Sequence, residues 1–323
     1  MPGPIEKSRD PNFPTGRDGL IAVDKVGNQV LFLDPVTFET VEILNGFAPR
    51  VHELAISPDH SRAFAPIYGD GIHGHNPNPG HMIAVFDLQL RRHTGDFSVA
   101  PFLAPHGMRW GSADQLYCVC EDSGVVVELH AGTGEIAHVM DVGSVNAHRI
   151  EVLPDGSKLY TENEEDPFTT VIDLRLRKRL KDIPAPDGLA GLGLSPDGRT
   201  IVLVDAKRPE LLIVDTATDV VLRAVRLAGH AQAAQIARYS PDGRYLVVTS
   251  HNEAIGTVLS SDLGTQRSFL LGRDPMDMAF HSDGRTALVG NQGDGTISVL
   301  DLKQGIVQRT VLAGDGVESL AFF

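Results

Sequence analysis

Short apolar runs alternate with polar turns along nearly the whole chain, and they recur in the same order. A turn containing Asp-Gly or a close variant is followed by a β-branched run, a polar break, a second apolar run that ends in aspartate, and a fourth short run. The turn aspartates lie 41 to 45 residues apart and are Asp114, Asp155, Asp197, Asp242 and Asp283. This period predicts units of four short β-strands, which is typical of propeller blades.

Seven first strands can be counted, starting near Arg50, Ala104, Ala147, Leu189, Ala234, Pro275 and Gly316. The seventh is followed by no further strands, and three unassigned runs stand near the other end of the chain, at 20–24, 30–34 and 40–44. We therefore predict an all-β fold, a seven-bladed β-propeller of four-stranded blades whose last blade is closed by both termini, because closure removes free sheet edges. Residues 18–323 then form a single domain, and residues 1–17 form an N-terminal extension.

The first residues of the inner strands surround one end of the channel in a propeller, so equivalent positions form a ring. In blade order the position five residues before the turn serine is occupied by His52, His106, His148, Ala190, Gln235, Met276 and Glu318. Because the last blade neighbours the first, the three histidines and Glu318 fall on four consecutive blades.

Neutral imidazoles bind borderline divalent ions, and one carboxylate offsets part of the charge. We predict that His52, His106, His148 and Glu318 form a site for a divalent ion, either Zn, Fe, Mn, Co or Ni. Glu318 is either a ligand or the hydrogen-bond partner of a ligand histidine. The side of the ring with Gln235 and Met276 lacks strong ligands, so it is the expected opening for water and substrate.

Further candidates follow the second strands, at the rim of the same face. Glu121, Glu164 and His251 are less typical of turns than the Asp and Asn residues nearby, and we predict them as general acids or bases. Tyr68 stands at the equivalent place and is predicted to line the substrate pocket.

One blade carries roughly ten extra residues between its second and third strands, in YGDGIHGHNPNPGH (68–81). A long loop in a compact repeat is typically functional or mobile, and we predict a lid or pocket wall over the channel mouth. His75 is the candidate catalytic residue of this loop, while His73 and His81 are predicted to line the pocket.

The net charge of −14 and the lack of a long basic tract argue against nucleic acid as a partner. No apolar segment approaches the ~20 residues that a membrane helix needs. No secretory leader is visible, so we expect a cytoplasmic protein with a small-molecule substrate. A closed ring can be stable as a monomer, and Cys118 and Cys120 are expected to be reduced core thiols.

The turn SPDGRT, a strand and the stretch NQGDGTISVLD (291–301) together resemble the YVTN-type repeat of lactonase-like β-propellers. This resemblance spans residues 18–323 and implies a ring that serves, in different members, as lactonase, lyase, oxidoreductase subunit or scaffold. Virginiamycin-inactivating lyases, which have a His- and Glu-rich metal end, are similar in arrangement. With the histidine ring, the resemblance favours a metal-dependent lyase or hydrolase acting on a small carbonyl- or carboxylate-containing substrate at the channel mouth.

Two alternatives remain open at this point. Carotenoid-cleaving oxygenases hold Fe(II) with four histidines on a propeller axis, and the ring is similar in plan. It offers Glu318 in place of a fourth imidazole, however, and the chain lacks that family's apolar insertions. A non-catalytic scaffold for a protein or peptide is the second alternative, and it predicts an aromatic rim that a chain with 6% aromatic residues does not favour.

Overall fold

The computed structural model describes residue 12 and residues 18–112 and 114–323, and these form a closed ring of seven four-stranded sheets. The predicted N-terminal extension, residues 1–17, lies outside the described residues except for Asn12. In chain order the first strands are β1 (Leu20–Asp24), β2 (Gln29–Leu33), β3 (Thr40–Leu44), β4 (Ala55–Ile56), β5 (Arg62–Gly69), β6 (Pro79–Asp87), β7 (Arg92–Ser98), β8 (Pro105–Ser112), β9 (Gln115–Cys120), β10 (Val125–His130), β11 (Ile136–Asp141), β12 (Arg149–Val152), β13 (Lys158–Glu162) and β14 (Phe168–Asp173). They are followed by β15 (Lys178–Pro184), β16 (Leu189–Leu194), β17 (Thr200–Asp205), β18 (Glu210–Asp215), β19 (Val220–Arg226), β20 (Ile236–Tyr239), β21 (Tyr245–Ser250), β22 (Ile255–Ser260), β23 (Gln266–Leu270), β24 (Pro275–Phe280), β25 (Thr286–Asn291), β26 (Thr296–Asp301), β27 (Ile306–Leu312) and β28 (Val317–Phe322).

Blades 1 to 6 are antiparallel meanders in which strands consecutive in sequence are neighbours in space. They consist of β4–β7, β8–β11, β12–β15, β16–β19, β20–β23 and β24–β27. Blade 7 has the order β28-β1-β2-β3, and its β28 pairs with β1 from Leu20 opposite Phe322 to Asp24 opposite Val317. The predicted seven-bladed propeller, with its last blade closed by strands from both ends of the chain, is confirmed.

The middle strands of each blade are apolar on both faces because each blade packs between two others. In β9 the five residues from Leu116 to Cys120 are buried, whereas six of the seven residues of the outer strand β7 are exposed. Tyr160 of blade 3 and Leu203 of blade 4 belong to the same apolar cluster, which shows how the core runs between blades. Cys118 and Cys120 are buried free thiols, as expected.

The repeated SPDG turns join the inner strand of a blade to the second strand. In blade 4 the Ser195 hydroxyl donates to Asp197 at 2.8 Å, and the backbone N–H of Thr200 donates to the Ser195 hydroxyl at 3.0 Å. Gly198 has a φ of +68°, a left-handed conformation that glycine adopts without strain. This turn chemistry sets where each inner strand starts and ends, and thereby aligns equivalent residues around the ring.

A β-bulge interrupts the start of several inner strands, at the ring position defined above. The pairing register shifts between Pro105 and Met108 in blade 2, between Leu189 and Gly191 in blade 4, between Pro275 and Met278 in blade 6, and opposite Val23 and Asp24 in blade 7. In blade 3 the backbone N–H of His148 donates to the carbonyl of Glu162, although Arg149 is the residue paired with Glu162. Because a bulge redirects side chains at a strand end, the ring residues do not follow simple alternation.

No helix among the described residues is long and apolar enough to cross a membrane. Two single-turn 3-10 helices, Glu121–Ser123 and His251–Glu253, follow the second strands of blades 2 and 5. They lie at the rim where the sequence predicts acid–base residues.

Candidate metal centre at the channel mouth

His52, His106 and His148 meet at the end of the channel where the inner strands begin. Their exposed fractions are 2%, 0% and 8%. The ring centroids of His106 and His148 are 3.5 Å apart, and those of His52 and His106 are 4.3 Å apart. One ring nitrogen from each histidine lies within 4.8 Å of the other two. The three predicted histidines are thus brought together, and they can hold a metal ion.

Each of these histidines has a carboxylate beside one ring nitrogen. The distances are 2.7 Å from His148 Nδ1 to Glu121, 3.5 Å from His106 Nδ1 to Glu53 and 3.4 Å from His52 Nε2 to Glu318. His52 Nδ1 and both ring nitrogens of His106 are buried and have no hydrogen-bond partner among the described residues. A carboxylate at one nitrogen and a free second nitrogen is the arrangement of metal-binding histidines, since the carboxylate orients the ring.

The protonation of the three histidines follows from burial and charge. Burial holds the pKa of His106 well below its ordinary value, and the nearby charge of His148 adds to the effect. Burial likewise holds the pKa of His52 well below its ordinary value, with a further contribution from Lys25. Burial also acts to lower the pKa of His148, but the charge of Glu164 and the hydrogen bond to Glu121 outweigh it and raise the pKa. His52 and His106 are therefore neutral at pH 7, which is the form that binds metals.

Glu318, the fourth predicted ligand, lies beside His52 and is itself held in place. The Lys25 ammonium is 3.2 Å from Glu318 Oε2 and 3.2 Å from His52 Nε2, and the Gln292 amide donates to Glu318 at 3.3 Å. The group of mutually close ligand atoms that contains His52 and His106 has His148 as its third member and does not include Glu318. This position favours Glu318 as a hydrogen-bond partner of the site over a direct ligand.

Glu121 connects the histidine ring to the long loop of blade 1. One carboxylate oxygen is 2.7 Å from His148 Nδ1, and the other is 2.8 Å from both His73 Nδ1 and the Tyr68 hydroxyl. Burial opposes ionisation of Glu121, but the hydrogen bonds to His148 and His73 outweigh it and lower the pKa to about 2. Both oxygens are engaged by donors, so the geometry favours Glu121 as a positioning residue over its predicted role in proton transfer.

His73 brings the loop between β5 and β6 against the site. Its Nε2 is 2.7 Å from Glu164 Oε2, and its ring lies 5.5 Å from that of His148. Burial acts to lower the pKa of His73, but the hydrogen bonds to Glu121 and Glu164 raise it to about 10. His73, His148 and Glu164 form a second group whose ligand atoms lie within 4.8 Å of one another.

Other predicted site residues are placed differently. His75 and His81 are exposed, and His251 contacts Asp274 at 3.8 Å. None of their hydrogen bonds, ion pairs or ring contacts within the described part of the chain involves the three ring histidines. Tyr68 is buried, with its ring 5.3 Å from His52 and 5.4 Å from His106. Gln235 is half-buried and Met276 is buried at the equivalent position of blades 5 and 6.

Sequence reasoning missed an ion-pair cluster that adjoins the histidines. Arg149 donates from Nε to Glu53 at 3.0 Å and from a terminal nitrogen to Glu162 at 3.3 Å, and all three side chains are buried. Burial raises the pKa of Glu162 to about 7 although Arg149 acts to lower it. The available signal was that Glu53 and Arg149 directly follow the ring residues His52 and His148.

No family model and no curated protein matches this chain. Among solved structures, Kuenenia stuttgartiensis hydrazine synthase is similar, with a TM-score of 0.70 over 86% of this chain and 91% of that chain. The sequence identity is 18%, so this similarity shows the propeller fold alone. Since one fold supports many activities, function has to be argued from the site.

Proposed function

We propose that the protein is a metal-dependent lyase or hydrolase that acts on a small carbonyl- or carboxylate-containing molecule at the channel mouth. The observation that carries this proposal is that His52, His106 and His148 each have a carboxylate at one ring nitrogen and converge within 4.8 Å. Imidazole ligands of this kind suit Zn, Fe, Mn, Co or Ni. Because they come from rigid inner strands, the ligand geometry is built into the fold.

The histidine ligands come from blades 1 to 3, and the proposal assigns the opposite side of the ring to the substrate. Ala190, Gln235 and Met276 occupy that side and are weak or non-ligating residues. A site with three protein ligands and one open side is typical of catalytic metal centres. Gln235 is the polar residue among these three, and in this proposal its amide donates a hydrogen bond to a substrate oxygen.

A divalent ion held there supplies Lewis-acid chemistry, polarising a carbonyl group or activating water. Glu164 is the residue best placed to accept a proton, because its Oε1 lies 3.8 Å from His148 Nε2 and its side chain is 18% exposed. Burial acts to raise the pKa of Glu164, but the charge of His148 and the hydrogen bond to His73 lower it, so the carboxylate is ionised at neutral pH. His73 holds the second oxygen of Glu164 at 2.7 Å and orients the first.

The same residues serve either reaction class, and the source of the proton distinguishes them. If Glu164 removes a proton from carbon beside a polarised carbonyl, loss of a β-leaving group makes the protein a lyase. If Glu164 removes the proton from water, the protein is a hydrolase. The resemblance to lactonase-like propellers and virginiamycin-inactivating lyases supports both classes and carries over no substrate.

The proposal is tested by metal analysis and an activity screen on untagged protein supplemented with Zn, Mn, Fe, Co or Ni. Lactones and esters report hydrolysis by acid release, and β-substituted carbonyl compounds report elimination by the absorbance of the unsaturated product. We expect bound metal and metal-dependent activity, loss of metal from the histidine site in His106→Ala, and a 10²- to 10⁴-fold lower rate in Glu164→Gln. His93→Ala, on the outer strand of blade 1, is the matched control. Wild-type protein that binds no transition metal, or His106→Ala with full activity, would overturn the proposal.

A further inference from the structure

We propose that one metal ion has two alternative positions at the channel mouth. The inner position lies among His52, His106 and His148, and the outer position lies among His73, His148 and Glu164. His148 serves both, so the two positions exclude each other, and the outer one is where an ion enters from solvent. This inference rests on the metal site of the proposed function and is independent of the reaction that the site catalyses.

The sharing of His148 follows from its hydrogen bonds. It belongs to both groups of mutually close ligand atoms. Its Nδ1 lies 2.7 Å from Glu121, so only Nε2 is left for a metal. One imidazole nitrogen has a single lone pair, and therefore His148 cannot bind ions at both positions at once.

The outer atoms already have distances close to those of a metal site. His73 Nε2 is 2.7 Å from Glu164 Oε2, and Glu164 Oε1 is 3.8 Å from His148 Nε2. Tetrahedral ligands at about 2.1 Å from zinc are separated by roughly 3.4 Å, and the ligand atoms of this group all lie within 4.8 Å of one another. Two imidazoles and one glutamate also form a ligand set that catalytic zinc sites use, and an ion that binds there displaces the proton between His73 Nε2 and Glu164.

The exposed fractions of the ligand side chains indicate which of the two metal positions lies nearer to solvent. The side chains of His73 and Glu164 are 17% and 18% exposed, whereas those of His52 and His106 are 3% and 0% exposed. An ion arriving at this end of the channel therefore meets the outer residues first.

Among the described residues, the channel beyond the histidines is lined by ion pairs between strands. Arg149 is bonded to Glu53, Arg109 to Glu151 and Arg238 to Asp277. These pairs present bonded guanidinium groups and leave no set of neutral ligands like the one at the mouth. Entry past His73 and Glu164 is the path that the ligand chemistry supports.

Cobalt(II) alone is the probe, because its visible spectrum reports the ligand set and its stoichiometry can be counted by equilibrium dialysis. We expect one ion per wild-type chain. His52→Ala should still bind one ion at the outer position, with a changed spectrum and an affinity lower by about 10- to 1,000-fold. His73→Ala should keep the wild-type spectrum, because the inner ligands remain, but bind at least tenfold more slowly in stopped-flow mixing. His148→Ala should lose both positions.

Several outcomes would overturn this inference while leaving a histidine metal site intact. Two ions per wild-type chain would refute mutual exclusion. Complete loss of binding in both His52→Ala and His106→Ala would refute the outer position, and His73→Ala binding at the wild-type rate would refute its role in entry. A wild type that binds no cobalt or other transition metal refutes the proposed function as well. Far-UV circular dichroism and thermal unfolding, with His93→Ala as control, identify any variant that fails to fold, and His106→Ala then replaces His52→Ala.

Discussion

Glu121 accepts a hydrogen bond from His148 at 2.7 Å through one carboxylate oxygen. Its other oxygen lies 2.8 Å from His73, which belongs to the loop between β5 and β6. A single side chain thus orients a ring histidine and holds the loop that carries His73. The orientation of the metal-binding residue and the position of the loop are therefore coupled.

Replacement of Glu121 by Gln is expected to lower metal affinity about 10- to 100-fold, because the amide cannot accept hydrogen bonds from both imidazoles. Competition with a chromophoric chelator measures this loss. Glu165→Gln is the matched control, since Glu165 is exposed and stands next to Glu164. An unchanged affinity in Glu121→Gln would show that His148 needs no such partner.

The contact of the loop with the site is expected to depend on pH. The pKa of His73 is raised from 6.5 to about 10, so its stabilising contribution is complete below about pH 6.5 and is lost as the pH rises through 10. The pKa of Glu121 is lowered from 4.5 to about 2, so its contribution is complete above about pH 4.5 and is lost as the pH falls towards 2. The loop should be held most firmly between about pH 4.5 and pH 6.5, where both contributions are complete.

Hydrogen exchange of residues 70–78 in metal-free protein, corrected for intrinsic rates, checks this dependence. Protection should decrease steadily from pH 7 to pH 10 in the wild type. His73→Gln should show low protection with little pH trend over the same range. A wild-type loop equally protected at pH 6 and pH 10 contradicts the assignment of His73 as the clamp.

Arg149→Met is expected to destabilise the fold by about 3–5 kcal/mol, because Glu53 and Glu162 remain buried without their cation. Denaturant unfolding followed by circular dichroism measures the effect. Arg199→Met is the control, since its ion pair with Asp197 is exposed and such pairs contribute at most about 1 kcal/mol. A loss under about 1 kcal/mol for Arg149→Met would mean that water already reaches these carboxylates.

Phe322→Ala tests the closure of the ring. Phe322 is fully buried in β28, and its ring centroid is 6.4 Å from that of Phe38. Its truncation should cost about 3–5 kcal/mol of unfolding free energy, since it creates a cavity where the two ends of the chain meet. Leu312→Ala, at a side chain that is 75% exposed, should stay within about 0.5 kcal/mol. Equal effects of the two substitutions would show that burial of the Phe322 side chain does not stabilise blade 7.

The repeat made the fold predictable, because the turn aspartates and the apolar runs recur with one period. It also aligned His52, His106 and His148, since equivalent residues of different blades meet at the axis. Alternation alone would have placed Glu53 and Arg149 on the face opposite to the histidines that precede them. The contacts of Glu53 with His106 and of Arg149 with Glu53 depart from that rule, and the backbone irregularity at a strand end leaves no mark in a single sequence.

The histidines of the loop between β5 and β6 show a second limit of predicting the site from the sequence. His73, His75 and His81 stand in the same glycine- and proline-rich stretch, and nothing in their spacing selects one of them. His73 is distinguished from the other two by its contacts with Glu121 and Glu164, which belong to blades 2 and 3 and are distant in sequence. Partners of this kind are determined by tertiary structure and lie beyond local patterns.

The ring positions at the channel mouth belong to seven separate blades, and each is anchored by its own turn. One substitution there changes one ligand and leaves the backbone that carries the other ligands in place. A histidine in place of Ala190 on blade 4, combined with the loss of His52 on blade 1, would therefore move the ligand set around the axis by one seventh of a turn. Such a ring allows the direction from which a substrate approaches to change without any rebuilding of the hydrophobic core.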